Sequence, residues 1–252
     1  MVKFGVALLI SFIYFTATAD EVAVNTIAKN KTKIAVPGAQ QFVDMQPYRA
    51  EYNARSSKMP LSINAVHTFE KLPNGQAQLT TEAHALLSTL KETALLDWQN
   101  CNSQSLRYDY DRQVFGKSVH YQQFFDAAQI RYVRDNTTTN IALTSTQQVD
   151  DRLLSQFKLR CHVKAGKTNF SLQMIDKDQI KTQSYKVVGT QKLRLPIGEV
   201  NSLEVERLRE PSSKRTTSIW VAPQWDYLVV KAIQEDDDGV VTLELVSLEF
   251  LK

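Results

Sequence analysis

The chain is expected to be an all-β protein with a minor α component. The predicted fold is a single curved antiparallel sheet forming an open barrel or half-barrel, with one short helix near 150–158. Three observations predict this. Segments in which apolar and polar residues alternate recur about a dozen times between Tyr48 and Phe250. Turn signals rather than helical crossovers separate them, which implies antiparallel neighbours. Only the stretch around Val149–Phe157 carries a clear helical spacing that breaks the β pattern. So many strands in one sheet must coil or split into layers.

The first alternation runs through Tyr48, Ala50, Tyr52 and Ala54, and Leu61, Ile63, Ala65, His67 and Phe69 continue it. Pro73-Asn74-Gly75 then marks a hairpin over about 58–86, with Ala77, Leu79, Thr81 and Ala83 returning on its far side. Leu86–Glu92 and Thr93–Trp98 are expected as two further strands, although their leucine spacing also suits a helix. Leu106, Tyr108 and Tyr110 alternate in the next segment. Val119, Tyr121 and Gln123 follow, and then Ile130–Val133. The run Thr137-Thr138-Thr139-Asn140 reads as a loop. Val149, Leu153, Leu154 and Phe157 share a helical face, with Asp150 and Asp151 in the first turn, where acids complement the helix dipole. A strand is expected to follow at Lys158–Lys164.

Beyond it, Asn169–Ile175 and Lys181–Val188 flank Asp176-Lys177-Asp178, and Gly189 punctuates. Pro196-Ile197-Gly198 turns into Val200–Leu208. Thr216–Ala222 comes after Glu210-Pro211-Ser212-Ser213-Lys214. Tyr227–Gln234 and Val240–Phe250 are joined by an acidic turn ending in Asp238-Gly239.

Composition sets the outer bounds. In 252 residues, 30 basic and 27 acidic side chains leave a charge of +3, too small to point to nucleic acid. An apolar fraction of 43% with 23% charged residues is ordinary globular composition, which argues against wholesale disorder and against a multi-span membrane protein.

Met1-Val2-Lys3 places one cation before an apolar run from Phe4 through Phe15, and Ala17-Thr18-Ala19 matches a small-x-small cleavage site. A short basic region, an apolar region of roughly 12 residues and a small-residue exit describe a secretory signal peptide. The competing reading, a membrane anchor, needs about 20 apolar residues, and the polar sequence from Thr16 comes too soon. The expected organisation is therefore a signal peptide at 1–19, a lead-in at 20–46 and a single β-rich domain at 47–252, located in the periplasm without a membrane anchor after cleavage.

Export governs the two cysteines, Cys101 and Cys161, which lie 60 positions apart. In an oxidising compartment an isolated pair is expected to be a disulfide. The alternatives are two thiols buried apart, or a redox pair, although no Cys-x-x-Cys motif is present.

The C-terminal half has a recognisable order. It runs Asp151-Arg152-Leu153-Leu154, Phe157-Lys158-Leu159-Arg160, Tyr185-Lys186-Val187-Val188-Gly189, Leu195-Pro196-Ile197-Gly198 and Val205-Glu206-Arg207. It closes with Lys214–Pro223, which contains Ile219-Trp220-Val221-Ala222-Pro223, and then with Glu235–Gly239. This order resembles the exported bacterial proteins catalogued as domain of unknown function 3108, and Pro47–Tyr52 looks like their opening strand. The resemblance spans about 47–250. It implies a signal peptide, a periplasmic β-rich domain and no established reaction.

The residues suggest little chemistry. His67, His84, His120 and His162 are all expected on strands and form no metal-binding motif, although His67 and His84 are placed to face each other across the first hairpin. No Gly-x-Ser-x-Gly elbow occurs. Asp150-Asp151 reads as a helix N-terminus, Asp236-Asp237-Asp238 as a solvated turn, and Arg207-Leu208-Arg209 with Lys214-Arg215 as a charged edge. No catalytic residue, metal or cofactor is expected.

The aromatics remain. Tyr48, Tyr52, Tyr108, Tyr110, Tyr121, Phe125, Tyr132, Trp220 and Trp225 lie mostly on alternating strands. They either form a filled core or line a concave face that holds an apolar guest. For the second case Tyr52, Tyr108, Tyr110, Tyr121 and Trp220 are the candidate ligand contacts. The expected function is a non-enzymatic monomer that takes an apolar ligand or a cell-envelope component. The alternatives are an assembly factor acting through an exposed sheet edge and an envelope hydrolase, the latter requiring His120 or His162 beside an Asp in a cleft.

Overall fold

A computed structural model describes residues 45–58, 62–209 and 213–251. The signal peptide and most of the lead-in lie outside them, as do Leu61 and Glu210-Pro211-Ser212.

The first half of the described chain is a run of antiparallel hairpins. It begins with β1 (Tyr48–Ser56), β2 (Ser62–Lys71), β3 (Gln76–Ala85) and β4 (Ser88–Asp97). It continues with β5 (Gln104–Val114), β6 (Lys117–Phe125), β7 (Gln129–Arg134) and β8 (Thr137–Ala142). The helix α1 (Arg152–Lys164) interrupts it. Then come β9 (Asn169–Asp176), β10 (Gln179–Leu195) and β11 (Gly198–Arg207), followed by β12 (Thr216–Ala222), β13 (Leu228–Asp236) and β14 (Gly239–Phe250). All fourteen strands form one sheet in the order β8-β7-β6-β5-β4-β3-β2-β1-β14-β13-β12-β11-β10-β9. The first and last strands therefore meet in mid-sheet, where β1 pairs with β14, and the two edges flank the helix in sequence. The sheet is a curved, open barrel.

Alternation decides what faces inward. One inner row crosses six strands at successive register partners: Ala50, His67, Thr81, Glu92, Tyr110 and Tyr121. The neighbouring row is Tyr48, Phe69, Leu79, Ala94, Tyr108 and Gln123. Apart from Gln123, Thr81, Glu92 and His67, these rows are apolar or aromatic. They bury the surface that drives folding, at about 25 cal/mol per Å².

The concave face is not empty, because α1 lies along it. Asp151 caps the helix, its carboxylate accepting from the backbone N–H of Leu153 at 2.7 Å and Leu154 at 2.9 Å. A cap of this kind is worth about 1 kcal/mol. Gly166, at φ 76°, ends the helix in the left-handed conformation that glycine adopts without a Cβ penalty.

Several local expectations need correction. The helix near 150–158 runs to Lys164, and Lys158–Lys164 is not a strand. Leu159, Cys161 and Val163 do alternate, but they sit on a helix buried on nearly all sides, so apolar residues are not confined to one stripe. Thr137–Asn140 belongs to β8, where β-branched residues suit an extended edge. Ser88–Asp97 forms one strand, β4, after a turn at Leu86-Leu87, so the segment is not divided at Thr93. Gly189 does not break β10, because a bulge at Val188 absorbs it. Register pairs His67 with Thr81 and His84 with Asn64, so the two histidines are not opposite each other. His162 lies on α1.

Candidate functional site

The helix meets the sheet through polar residues at intervals of four: Arg152, Gln156, Arg160 and Lys164. This spacing stacks side chains along one face, and each cation has an acidic or polar partner on the inner wall.

Near the helix start, Arg152 Nε lies 3.4 Å from Glu92 Oε1, with both side chains 5% exposed or less. Tyr108 donates its hydroxyl to the same carboxylate at 2.5 Å. Tyr121 stacks on Tyr110 at 4.6 Å and approaches Tyr108 at 6.1 Å and Tyr132 at 5.4 Å. Ser105 donates to Asp151 at 2.5 Å, while Lys158 pairs with Asp150 at 2.6 Å. This end is packed.

The other half of the helix leaves space. Arg160 Nη1 donates to the Tyr48 hydroxyl at 3.0 Å, and its Nε and Nη2 donate to the Asp226 carbonyl at 3.2 and 2.9 Å. Lys164 binds the Asp226 carboxylate. Asp226 and Tyr227 both have positive φ, 51° and 59°, outside glycine's usual monopoly on that region. That conformation turns one residue's carbonyl toward Arg160 and its carboxylate toward Lys164. Cys101 and Cys161 are joined as a disulfide, which ties the last turns of the helix to the β4–β5 connection.

Two recesses flank Arg160. The smaller, about 70 Å³, has Tyr52, His67, Thr81 and Gln156 among its lining residues, with Ile219 and Leu243 supplying apolar wall. The larger, about 250 Å³, is walled by Met45, Trp225, Leu228, Leu248 and Phe250. Both are lined by Tyr48, Arg160 and Leu228, so one guanidinium stands between them. Two of its five N–H groups have no hydrogen-bond partner among the described residues. The lining therefore combines apolar wall with one fixed cation; Asp226, which also lines the larger recess, has its carboxylate paired with Lys164. Among the described residues, no three His, Cys, Asp or Glu side chains converge in a way that could hold a metal.

His67 sits in the smaller recess, its Nδ1 2.8 Å from the Thr81 hydroxyl. Burial, reinforced by Arg160, holds its pKa down at about 4. The residue is half-buried and is among those lining the recess. Its folded value lies below its unfolded value of 6.5, so its contribution to stability is present above pH 6.5 and is lost as pH falls toward 4. Asp151 works the other way, because burial raises it to about 6 and its contribution grows as pH falls. The two offset each other in wild type, so only a difference isolates the histidine. Between pH 6.5 and 4, wild type is expected to lose about 2–3 kcal/mol relative to His67→Gln, measured by urea unfolding at each pH. A pH-independent difference would contradict the assignment.

Of the five expected ligand contacts, only Tyr52 lines a recess, with its hydroxyl donating to the Val229 carbonyl at 2.8 Å. Tyr108, Tyr110 and Tyr121 come together, but in the packed end around Arg152 and Glu92. Trp220 lies on the opposite, convex face. Its register partner is Lys231, itself paired with Glu244, and its indole donates to Gln191 at 2.9 Å. His120 lies 3.8 Å from Asp111 with both side chains more than half exposed, and His162 packs on Phe170. Arg160, Gln156 and Leu228 were not foreseen. The four-residue spacing of polar side chains from 152 to 164 is the sequence signal for Gln156 and Arg160, and Leu228 on β13 carries no comparable one.

A family model described as protein of unknown function (DUF3108) matches residues 90–246. The opening segment Pro47–Tyr52 lies outside that match. A beta-barrel-like protein from Brucella abortus, of domain of unknown function DUF1849, is similar in fold. Its TM-score is 0.58 at 10% identity, covering 83% of this chain and 100% of that one. Two further structures carry TM-scores too low for a fold argument. One is a protein from Bacteroides fragilis described as exported, with a YmcC-like fold, at 0.33 and 10% identity over 82% of this chain and 98% of that one. The other is a protein from Parabacteroides distasonis described as a lipoprotein, at 0.34 and 12% identity over 84% and 100%. No curated protein matches the chain.

Proposed function

The chain belongs to the DUF3108 family, and from that premise we propose a function in ligand binding. The protein is a non-enzymatic monomer of the bacterial periplasm that binds a ligand with an apolar chain and an anionic head in the recesses at Arg160. One observation carries this reading: two apolar-walled recesses share a buried guanidinium that keeps hydrogen-bonding capacity. Ligand sites of this kind are mostly apolar, with a few placed polar groups that fix orientation. The leader sequence and the disulfide support the compartment.

The test is native mass spectrometry of the protein purified from the cell envelope. A co-purifying anionic amphiphile is expected in wild type, and it should be lost in Leu228→Trp, which fills both recesses. Protein that arrives empty, and stays empty with added dodecanoate, would overturn the reading.

A second reading rests on β8. This edge strand carries no charged residue and is exposed at five of its six positions, a template for strand addition by an envelope partner. Asn140→Pro, at a position whose backbone N–H faces away from β7, would abolish that activity and leave ligand binding intact.

A further inference from the structure

Three large apolar side chains stand exposed together at one end of the sheet. Leu86 is 84% exposed, Leu87 58% and Phe115 61%. The first two form the β3–β4 turn, and Phe115 begins the β5–β6 turn. Ser88 pairs with Val114, and the Phe115 N–H donates to the Leu87 carbonyl at 3.0 Å, so the two hairpin tips are side by side. The result is a convex apolar knob rather than a groove.

The backbone at Phe115 gives an independent sign that this residue is there for what it touches. Phe115 has φ 47° and Gly116 φ 76°. Two left-handed residues in a two-residue hairpin favour Asn, Asp or Gly at the first position. Elsewhere, Asn74, Asn100, Asp135, Lys177 and Asp226 occupy positive φ with polar side chains, and the aromatic Tyr227 is buried. Among the described residues, Phe115 is the exposed apolar side chain in this conformation. Neither turn geometry nor burial accounts for an aromatic ring there.

The charge around the knob indicates the partner. No Asp or Glu lies within two positions of Leu86, Leu87 or Phe115, whereas Lys117 and His84 do and are exposed. Of the nearest acids on these strands, Glu82 pairs with Lys91 at 2.6 Å, and Asp111 lies 3.8 Å from His120. Apolar tips beside an exposed lysine match the boundary between acyl chains and anionic headgroups. A second copy of the chain is a poor fit, because two convex knobs cannot interlock and each brings its own Lys117.

We propose that Leu86, Leu87 and Phe115 insert into the interface of an anionic phospholipid surface, with Lys117 at headgroup level. The knob would bring the protein to a membrane without a spanning segment.

The test is flotation of the chain from residue 20 with vesicles of phosphatidylglycerol mixed with phosphatidylcholine, and with phosphatidylcholine alone. Wild type is expected to float with the anionic vesicles and less with the neutral ones. Phe115→Asn should lower vesicle affinity about tenfold or more, while the unfolding midpoint stays the same or rises. Leu86→Ser with Leu87→Ser should do likewise, and Lys117→Gln should remove the preference for anionic lipid. Three outcomes would overturn the proposal: no flotation of wild type, flotation of Phe115→Asn equal to wild type, or concentration-dependent self-association abolished by Phe115→Asn. The last would assign the knob to a second copy.

Discussion

Arg152→Ala is expected to lower folding stability by about 3–5 kcal/mol, one of the two largest effects predicted for this chain. The reason is what the substitution leaves behind. Glu92 is 1% exposed, and Arg152 is the cation beside it. Without the guanidinium, a carboxylate remains inside the barrel with, among the described residues, the Tyr108 hydroxyl to meet it. Arg152 itself keeps its proton, because the pull of Glu92, Tyr108, Tyr121 and Asp176 outweighs the opposing effect of burial. Breaking a buried pair is costly, whereas replacing both partners by apolar residues of similar size often is not. Glu92→Met with Arg152→Met should therefore recover most of the loss. Urea unfolding of the single and double variants checks this. A single variant within 1 kcal/mol of wild type would show that the pair does not anchor the helix.

The second large effect belongs to the disulfide. Cys101 and Cys161 close a loop with a sequence separation of 60. The chain-entropy estimate for that loop is about 4 kcal/mol, and native strain can reduce it. Replacing both cysteines by alanine is expected to cost about 2–4 kcal/mol. Reductant should destabilise wild type by the same amount and leave the double variant unchanged. Since Cys161 follows Arg160 directly, loosening it should also weaken ligand retention at the recess. Insensitivity of wild-type stability to reductant would contradict the role given to this link.

Much of the fold could be read in the sequence because a strand with one buried face repeats every two residues. Tyr48–Ala54 and Ala77–Ala83 alternate strictly, and both lie in strands whose inner residues are buried. Pro73-Asn74-Gly75 and Asp238-Gly239 carry their turn chemistry openly. The helix was harder to place. Inside a barrel it is enclosed by sheet, so Leu159, Cys161 and Val163 need not keep to a stripe, and their accidental alternation imitates a strand. The candidate site was lost in the same stretch. Once Lys158–Lys164 is taken as a strand, Arg160 is an ordinary flanking charge, and its alignment with Gln156 and Lys164 disappears. The aromatic clue pointed to both ends of the barrel at once. Tyr52 lines a recess, whereas Tyr108, Tyr110 and Tyr121 close around a buried ion pair. Alternation alone does not tell which inner positions the helix will cover. Trp220 lies away from the recesses, and its orientation is hard to read for a different reason: Ile219, Trp220 and Val221 are all buried, so the segment has no exposed face to show which way the indole points.

The most direct test of ligand binding is methyl NMR of the protein titrated with dodecanoate, an anionic single-chain amphiphile. Shifts are expected at Met45, Leu228 and Leu248, which wall the larger recess, with no change at Leu79, Leu90 and Leu96 in the closed wall. Shifts confined to Leu86 and Leu87, or no shifts at saturating amphiphile, would contradict the account.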